Sequence, residues 1–236
     1  MVPVRRRGRI VNLFTLDIDW APEPVIEDTL ALFEQFGVTC TIFATHRSRI
    51  LDASRRDLFE IGIHPNFNPL LAGQSGDAGA IIDELLDIYP DACGVRSHSM
   101  VQSTPLLDLF ASKKLLYEAN HFLPYWNGLR PFRLWNGLLR IPYNWEDDIH
   151  FSYGRPFNES GLDQDGLNVL DFHPVHVFLN TDTPDHYALA RPHYHDADEL
   201  LRMRNTKGPG ARTLLIELLR QQGSSITLRT LAEQQP

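Results

Sequence analysis

Apolar runs and stretches of helical spacing follow one another along the chain, a pattern that predicts strands and helices in alternation. Six runs rich in apolar and β-branched residues are typical of buried strands, at residues 9–17, 39–45, 61–64, 94–98, 115–119 and 167–174. Between the first two runs, Ile26, Leu30 and Phe33 recur on one face of a predicted helix that Gly37 ends. Strands alternating with helices indicate parallel βαβ units.

The remaining segments are less regular. Further helices are predicted before Phe59, across residues 81–88, after Pro105 and across residues 214–219, the last ending by Gly223. Residues 181–195 are polar and are predicted to form a loop. Residues 122–153 are rich in aromatic residues, glycine and proline and have no clear period.

The alternation predicts an α/β fold with mostly parallel strands, and 236 residues without repeat or linker predict one domain, residues 1–236. In such folds, reactive groups gather at the carboxyl ends of the strands. Groups suited to metal binding or proton transfer follow four of the predicted strands: Asp17 and Asp19, His64, Arg96 and His98, and His173. Their shared position is the signal, because each residue alone would be unremarkable.

Asp17 and Asp19 are two positions apart, so their carboxylates face one site if the strand continues through both residues. Converging carboxylates repel each other unless a cation or a proton lies between them. One could therefore bind a metal ion while the other takes a proton from water. An alternative is that Asp19 caps the following helix.

The other candidates also have plain structural interpretations. His64 alone could be a hydrogen-bonded structural histidine, and Arg96 could form an ordinary ion pair. The tract Trp145–Asp148 combines an aromatic ring with three acids, which suits a sugar-binding groove or a packed loop. His193 and His195 lie in the predicted loop and are expected at the surface.

Composition narrows the class of partner. Asp and Glu number 30 against 22 Lys and Arg, a net charge of −8 that argues against nucleic acid and anionic membranes. The basic N-terminal cluster at residues 5–9 is interpreted as a solvated arm. No stretch approaches the roughly 20 apolar residues of a membrane span. Cys40 and Cys93 are expected to be free buried thiols, and a cytoplasmic location is expected.

In their order along the chain, these motifs resemble the polysaccharide deacetylase family, which includes chitin, chito-oligosaccharide and peptidoglycan deacetylases. The order is an Asp pair, a His motif, an Arg motif, an acidic and aromatic segment and a late His, and the C-terminal GSSITLRTLAEQ is also similar. The resemblance spans most of the chain, which is similar to a divergent member of this family. It implies a distorted (β/α) barrel that hydrolyses N-acetyl groups of amino sugars with a divalent metal ion, usually zinc.

The same resemblance implies roles for the individual residues. Asp17 resembles the catalytic base, Asp19 the metal-binding acid and His64 the first histidine of an HxxxH ligand pair. The fourth position after His64 departs from that pattern, since it is Asn68, and an amide oxygen binds zinc less well than imidazole. We expect His98 to supply the third ligand, with Asn68 the weaker candidate.

Three further residues complete the implied site. Arg96 resembles the arginine that holds the base, and an acid of the WEDD tract, Asp148 by preference, resembles the acid that tethers this arginine. His173 resembles the histidine that protonates the departing amine. The Arg motif reads RSHS, without the proline and tyrosine usual in the family.

The leading hypothesis is therefore a metal-dependent hydrolase that removes an acetyl or formyl group from an amino sugar or oligosaccharide during surface-polysaccharide biosynthesis. A non-catalytic carbohydrate-binding relative and an amidohydrolase of small non-sugar amides are the alternatives.

Overall fold

The computed structural model describes residues 12–158, 162, 165–223 and 225–235, together with the backbone of residues 5–6 and 9–10. Within these ranges the strands are β1 (Arg5–Arg6), β2 (Arg9–Ile10), β3 (Asn12–Asp17), β4 (Cys40–Ala44), β5 (Phe59–Ile63), β6 (Gly94–Val95), β7 (Tyr117–Glu118), β8 (Phe132–Arg133), β9 (Leu139–Arg140), β10 (Trp145–Glu146) and β11 (Asn168–Phe172). The α-helices are α1 (Glu23–Phe36), α2 (Arg49–Ala53), α3 (Asn68–Leu71), α4 (Ala78–Ile88), α5 (Thr104–Ser112), α6 (Asp147–Ser152), α7 (Pro174–Leu179), α8 (Pro184–Ala190), α9 (Ala197–Met203), α10 (Ala211–Gln221) and α11 (Leu228–Glu233). Two 3₁₀ helices lie at His98–Met100 and Arg191–His193.

Nine strands form one curled sheet in the order β10, β11, β3, β4, β5, β6, β7, β9, β8. Every neighbouring pair in it is parallel except β8 and β9. With its helices the sheet makes a half-barrel of the (β/α) type, so the predicted fold class is confirmed. The assignment of residues 1–236 to one domain stays a prediction.

The two faces of the sheet have different roles, because side chains alternate along a strand. On β3, Phe14 and Leu16 pack in the large apolar cluster that also contains α1, α7 and α10. Thr15 and Asp17, on the opposite face, are buried toward the concave side and contact Arg96. Each large apolar side chain removed from water contributes roughly 1.5–3 kcal/mol, so the helix face stabilises the fold while the concave face holds polar groups.

Local sequence explains where several helices begin and end. Gly37 ends α1 with a left-handed φ of 63°, and the Ser103 hydroxyl caps α5 by accepting from the Leu106 amide.

Gly94 permits a close approach, since a Cβ there would lie 2.0 Å from the Tyr117 ring. The buried Tyr117 ring can therefore occupy this place against β6 only because residue 94 has no side chain.

Several predicted bounds differ from the structure. The predicted loop at 181–195 was wrong, because Thr183 caps α8 and Pro184 starts it, the same signal that precedes α5. The predicted strand 94–98 ends at Val95, and His98 begins a 3₁₀ helix. The first predicted strand is divided into β2 and β3, and β1 pairs with β2 outside the main sheet.

The cysteines and the helices can be compared with the predictions made from composition. Cys40 is free and buried, as predicted, and Cys93 is free but only half-buried. Among the described helices, none combines the length and apolar character needed to cross a bilayer. The cytoplasmic location stays a prediction.

Candidate active site

The carboxyl ends of five of the six consecutive strands from β10 to β6 in the sheet carry the site. Asp17 ends β3, and His64, Arg96, Asp147 and His173 follow β5, β6, β10 and β11 directly. These strands lie within one stretch of the parallel sheet, so their ends meet at one edge. All five side chains are buried there.

Asp19 reaches the same place through a turn rather than by strand alternation. Asp19 and Trp20 have φ of 40° and 57°, and the Ala21 amide donates to the Ile18 carbonyl at 2.7 Å. A left-handed backbone is unusual for a bulky residue such as Trp20, and such conformations occur often at functional sites. Asp19 does not cap α1, whose N-cap is Pro22 without a side-chain hydrogen bond.

Asp19, His64 and His98 form a candidate metal site whose ligand atoms all lie within 4.8 Å of one another. Asp19 Oδ1 is 3.2 Å from His64 Nε2 and 3.0 Å from His98 Nδ1. Two imidazoles and one carboxylate are a donor set typical of catalytic zinc, with the fourth position left for water or substrate. The residues present therefore fit the metal ion that the sequence suggested.

Asn68, the weaker candidate for the third metal ligand, has another hydrogen-bond partner. Asn68 lies at the start of α3, and its Nδ2 donates to Ser99 Oγ at 3.0 Å. His98 is the candidate that the structure brings to Asp19.

Electrostatics favour an ionised Asp19. Burial raises the pKa of Asp19, but hydrogen bonds with His64 and His98 and the charge of His173 outweigh burial and hold the pKa well below its usual range. A carboxylate held ionised between two imidazoles is prepared to bind a cation.

Arg96 lies directly beneath this cluster and is almost completely buried. Its Nη1 donates to Asp17 Oδ1 at 3.0 Å and to Asp171 Oδ1, and its Nε donates to the Ala119 carbonyl at 3.0 Å. The guanidinium carbon also lies 4.3 Å from the centre of the Tyr143 ring. One cation thus faces two buried carboxyl groups, and burial raises the pKa of Asp171 although Arg96 opposes this.

His173 forms a second buried pair with Asp147. His173 Nδ1 lies 2.8 Å from Asp147 Oδ1, and the His173 amide donates to Asp147 Oδ2 at 2.8 Å. His173 Nε2 then points toward Asp19, 3.7 Å from Oδ2. Burial lowers the pKa of His173, but the charge and hydrogen bond of Asp147 outweigh it and raise the pKa well above its usual value.

A cavity of about 580 Å³ opens over the cluster. Asp19, His98 and His173 lie at its base, and Trp20, Tyr187 and Tyr194 supply aromatic walls. A volume of this size lies within the usual range for small-molecule sites. Aromatic faces beside carboxylates suit a sugar ring with hydroxyl groups.

The structure departs from the expected role of Asp148. Among the described residues, the carboxyl groups that contact Arg96 are those of Asp17 and Asp171, so Asp171 rather than Asp148 lies where the tethering acid was expected. Asp148 instead lines the cavity, and its Oδ1 is buried with no hydrogen-bond partner in the part of the chain that the structure describes. The neighbouring acid of the same tract, Asp147, pairs with His173.

Sequence reasoning missed Asp147, Asp171 and the aromatic wall. Asp171 precedes His173 by two positions, so the alternation of β11 places both on the concave face, a signal available from the sequence. Tyr187 and Tyr194 lie in the segment whose polar composition predicts a loop, so the sequence gives no sign that they share one side of a helix. His193 and His195 are exposed, as expected.

Comparison with known proteins agrees with this geometry. The family described as WbmS-like, polysaccharide deacetylase, matches residues 14–191, which contain every residue of the cluster. The chain belongs to the polysaccharide deacetylase family. The suspected resemblance is therefore confirmed. None of the curated proteins matches this chain.

Solved structures support the same assignment. A Bordetella bronchiseptica protein, described as a polysaccharide deacetylase involved in O-antigen biosynthesis, is 43% identical over 92% of both chains, with a TM-score of 0.84. A protein from Mycobacterium smegmatis, described as a polysaccharide deacetylase, is 17% identical over 94% of this chain and 88% of its own, with a TM-score of 0.53. A 4-alpha-glucanotransferase from Thermococcus litoralis is 14% identical over 96% of this chain and 40% of its own, with a TM-score of 0.52. At these low identities the last two show a shared fold alone.

Proposed function

We propose that this protein is a metal-dependent hydrolase that removes an N-acyl group, acetyl or formyl, from an amino sugar. One observation carries the proposal: a candidate metal site, a carboxylate and an imidazole meet in a single cluster under an open cavity. Asp17 Oδ2 lies 3.7 Å from His64 Nε2, and His173 Nε2 lies 3.7 Å from Asp19 Oδ2.

Asp19, His64 and His98 would hold the ion. When bound, a divalent metal such as zinc polarises the amide carbonyl and lowers the pKa of a coordinated water.

Asp17 is the proposed general base. Arg96 Nη1 donates to Asp17 Oδ1 at 3.0 Å, and the other carboxylate oxygen, Oδ2, lies 3.7 Å from His64 Nε2 beside the candidate metal site. Taking the proton of the attacking water would build the nucleophile beside the amide carbon. Arg96 is a positioning residue here, since it touches Asp17 rather than the substrate.

His173 is the proposed general acid. With its pKa raised by Asp147, the imidazole is protonated near neutral pH and can donate to the departing amine. Asp147 accepts from Nδ1 and so leaves Nε2 facing the cluster.

The proposed pathway follows from the Bordetella relative, which is described as acting in O-antigen biosynthesis. We extend this to a role in surface-polysaccharide biosynthesis. A non-catalytic carbohydrate binder would need neither a base at Asp17 nor an aligned His–Asp pair, so the enzyme is favoured over that alternative.

Metal content is the first test. Purified protein should contain about one divalent ion per chain by elemental analysis, and the Asp19→Ala, His64→Ala double variant should lose it because two of three ligands are gone. Screening of N-acylated sugars for acetate or formate release then tests the reaction. Protein that binds no ion after incubation with zinc or cobalt would contradict the proposal, and release of acyl groups from non-sugar amides alone would favour the amidohydrolase.

The third ligand has a matched pair of variants. His98→Ala should lower the affinity for zinc at least tenfold, whereas Asn68→Ala should leave it nearly unchanged because Asn68 hydrogen-bonds Ser99 instead. Affinity is measured by competition with a chromogenic chelator. Full metal retention in His98→Ala, or loss in Asn68→Ala, would reverse the assignment.

Asp147→Asn should shift the alkaline limb of the kcat/KM profile to lower pH by about one unit or more. The substitution keeps a hydrogen-bond acceptor for the His173 amide but removes the charge that raises the pKa of His173, so the acid form is lost at lower pH. Asp148→Asn is the matched control, because Asp148 is a weaker influence on His173. An unmoved alkaline limb in Asp147→Asn would exclude His173 as the acid.

A further inference from the structure

The helical segment from Pro184 to His193, together with Tyr194 directly after it, forms one wall of the cavity and presents a cation there. Tyr187, Arg191 and Tyr194 are spaced by four and three residues, so they share one side of the segment. All three line the cavity above the candidate metal site. They also border a neighbouring cavity of about 550 Å³, together with the exposed His193 and His195.

Contacts on both sides of Arg191 join this wall to the catalytic cluster. Tyr187 packs edge-on against His176, with 4.5 Å between ring centres, and the Tyr194 hydroxyl donates to the Asp19 carbonyl at 2.6 Å. Ala190, next to Arg191, is fully buried. The backbone that carries Arg191 is therefore held relative to Asp19.

Arg191 differs from several other arginines of the described chain, which pair with carboxylates. Arg202 pairs with Glu199, and Arg204 and Arg212 pair with Asp28, whereas no described residue forms an ion pair or hydrogen bond with the Arg191 side chain. Acids outnumber bases by 30 to 22 in this chain, so protein partners for an arginine are plentiful. Among the described residues that line the cavity, Arg191 is the one arginine or lysine.

We propose that Arg191 binds an anionic group of the substrate, a carboxylate or a phosphate, while the N-acyl group lies at Asp19. A guanidinium recognises both oxyanions by paired N–H donors, and the shared wall of two cavities leaves room for a group beyond the reacting sugar. Asp19 and Asp148 line the same cavity, so an acidic substrate is oriented with its anionic group toward Arg191. Asp196 also borders the second cavity, but its carboxylate accepts a hydrogen bond from the Glu199 amide at 3.0 Å and forms no ion pair with Arg191 among the described contacts. The inference rests on the proposed function for the identity of the reacting group.

Equilibrium binding tests the proposal without requiring turnover. Isothermal titration would compare N-acetylglucosamine, N-acetylglucosamine 1-phosphate and N-acetylglucosaminuronic acid at constant ionic strength. Each is titrated into wild-type protein and the variants Arg191→Gln, Arg191→Lys and Arg220→Gln, with and without zinc. Arg220 is an exposed arginine on α10, outside both cavities, so its variant controls for the change in net charge.

Wild-type protein should bind at least one anionic sugar about tenfold or more tightly than the neutral sugar. The anionic sugar that binds more tightly shows whether Arg191 recognises a carboxylate or a phosphate. Arg191→Gln should abolish the preference, Arg191→Lys should keep part of it, and Arg220→Gln should keep all of it. The preference should survive zinc removal, since Arg191 is not a ligand. Equal affinity for charged and neutral sugars, no binding of either anionic sugar, or a preference that persists in Arg191→Gln would each overturn the proposal, and none of these results bears on deacetylation at Asp17.

Discussion

Asp17→Asn should lower kcat for acyl release by about 10³, because an amide cannot take a proton from water and a general base contributes roughly 10²–10⁴. Asparagine has nearly the same shape, and its oxygen can still accept the Arg96 hydrogen bond now made by Oδ1. The ligands Asp19, His64 and His98 are unchanged, so metal content should stay at the wild-type level. The measurement is acetate or formate release from the sugar identified by screening, alongside elemental analysis.

Asp52→Asn is the control for this experiment. Asp52 lies on α2, is exposed and pairs with Arg47 just before that helix, so its variant should keep wild-type activity. An Asp17→Asn protein that keeps both its metal and more than a tenth of wild-type kcat would exclude Asp17 as the base.

Arg96→Met should reduce the free energy of unfolding by about 3–5 kcal/mol at pH 7.5, the range expected when one member of a buried charge cluster is removed. Methionine fills much of the volume between Phe43 and Tyr143 but leaves Asp17 and Asp171 buried without their cation. Urea denaturation followed by circular dichroism gives the value. Arg202→Met, which breaks the exposed pair with Glu199, should cost about 1 kcal/mol or less.

The deficit of Arg96→Met should depend on pH in a defined direction. Burial already raises the pKa of Asp171 in the folded protein, and loss of Arg96 raises it further. A group with a raised folded pKa stabilises the fold at low pH, and this stabilisation is lost as the pH rises through that value. The deficit should therefore be smaller at pH 5 than at pH 8. A deficit below 1 kcal/mol at pH 8 would show that the two carboxyl groups do not require this arginine.

Much of the architecture could be predicted from local pattern. The strands β3, β4, β5 and β11 are rich in apolar residues and carry one to three polar positions each, because one face of the sheet packs against helices while the concave face holds polar groups. The prediction of a loop at residues 181–195 was wrong for a local reason. Thr183 and Pro184 are a helix-start signal, but the polar composition of the segment favoured a loop.

The sequence by itself determined the family and the parallel α/β fold, because these depend on motif order and on short-range periodicity. For the same reason it located the strand ends that carry the site residues Asp17, His64, Arg96 and His173. Only the tertiary structure decided the pairings: Asp171 rather than Asp148 with Arg96, Asp147 with His173, and His98 with Asp19. Those contacts join residues up to 79 positions apart and depend on sheet order and on the turn at Asp19. Neighbouring acids such as Asp147 and Asp148 are equivalent in a sequence, and only the direction in which each side chain leaves the start of α6 distinguishes them.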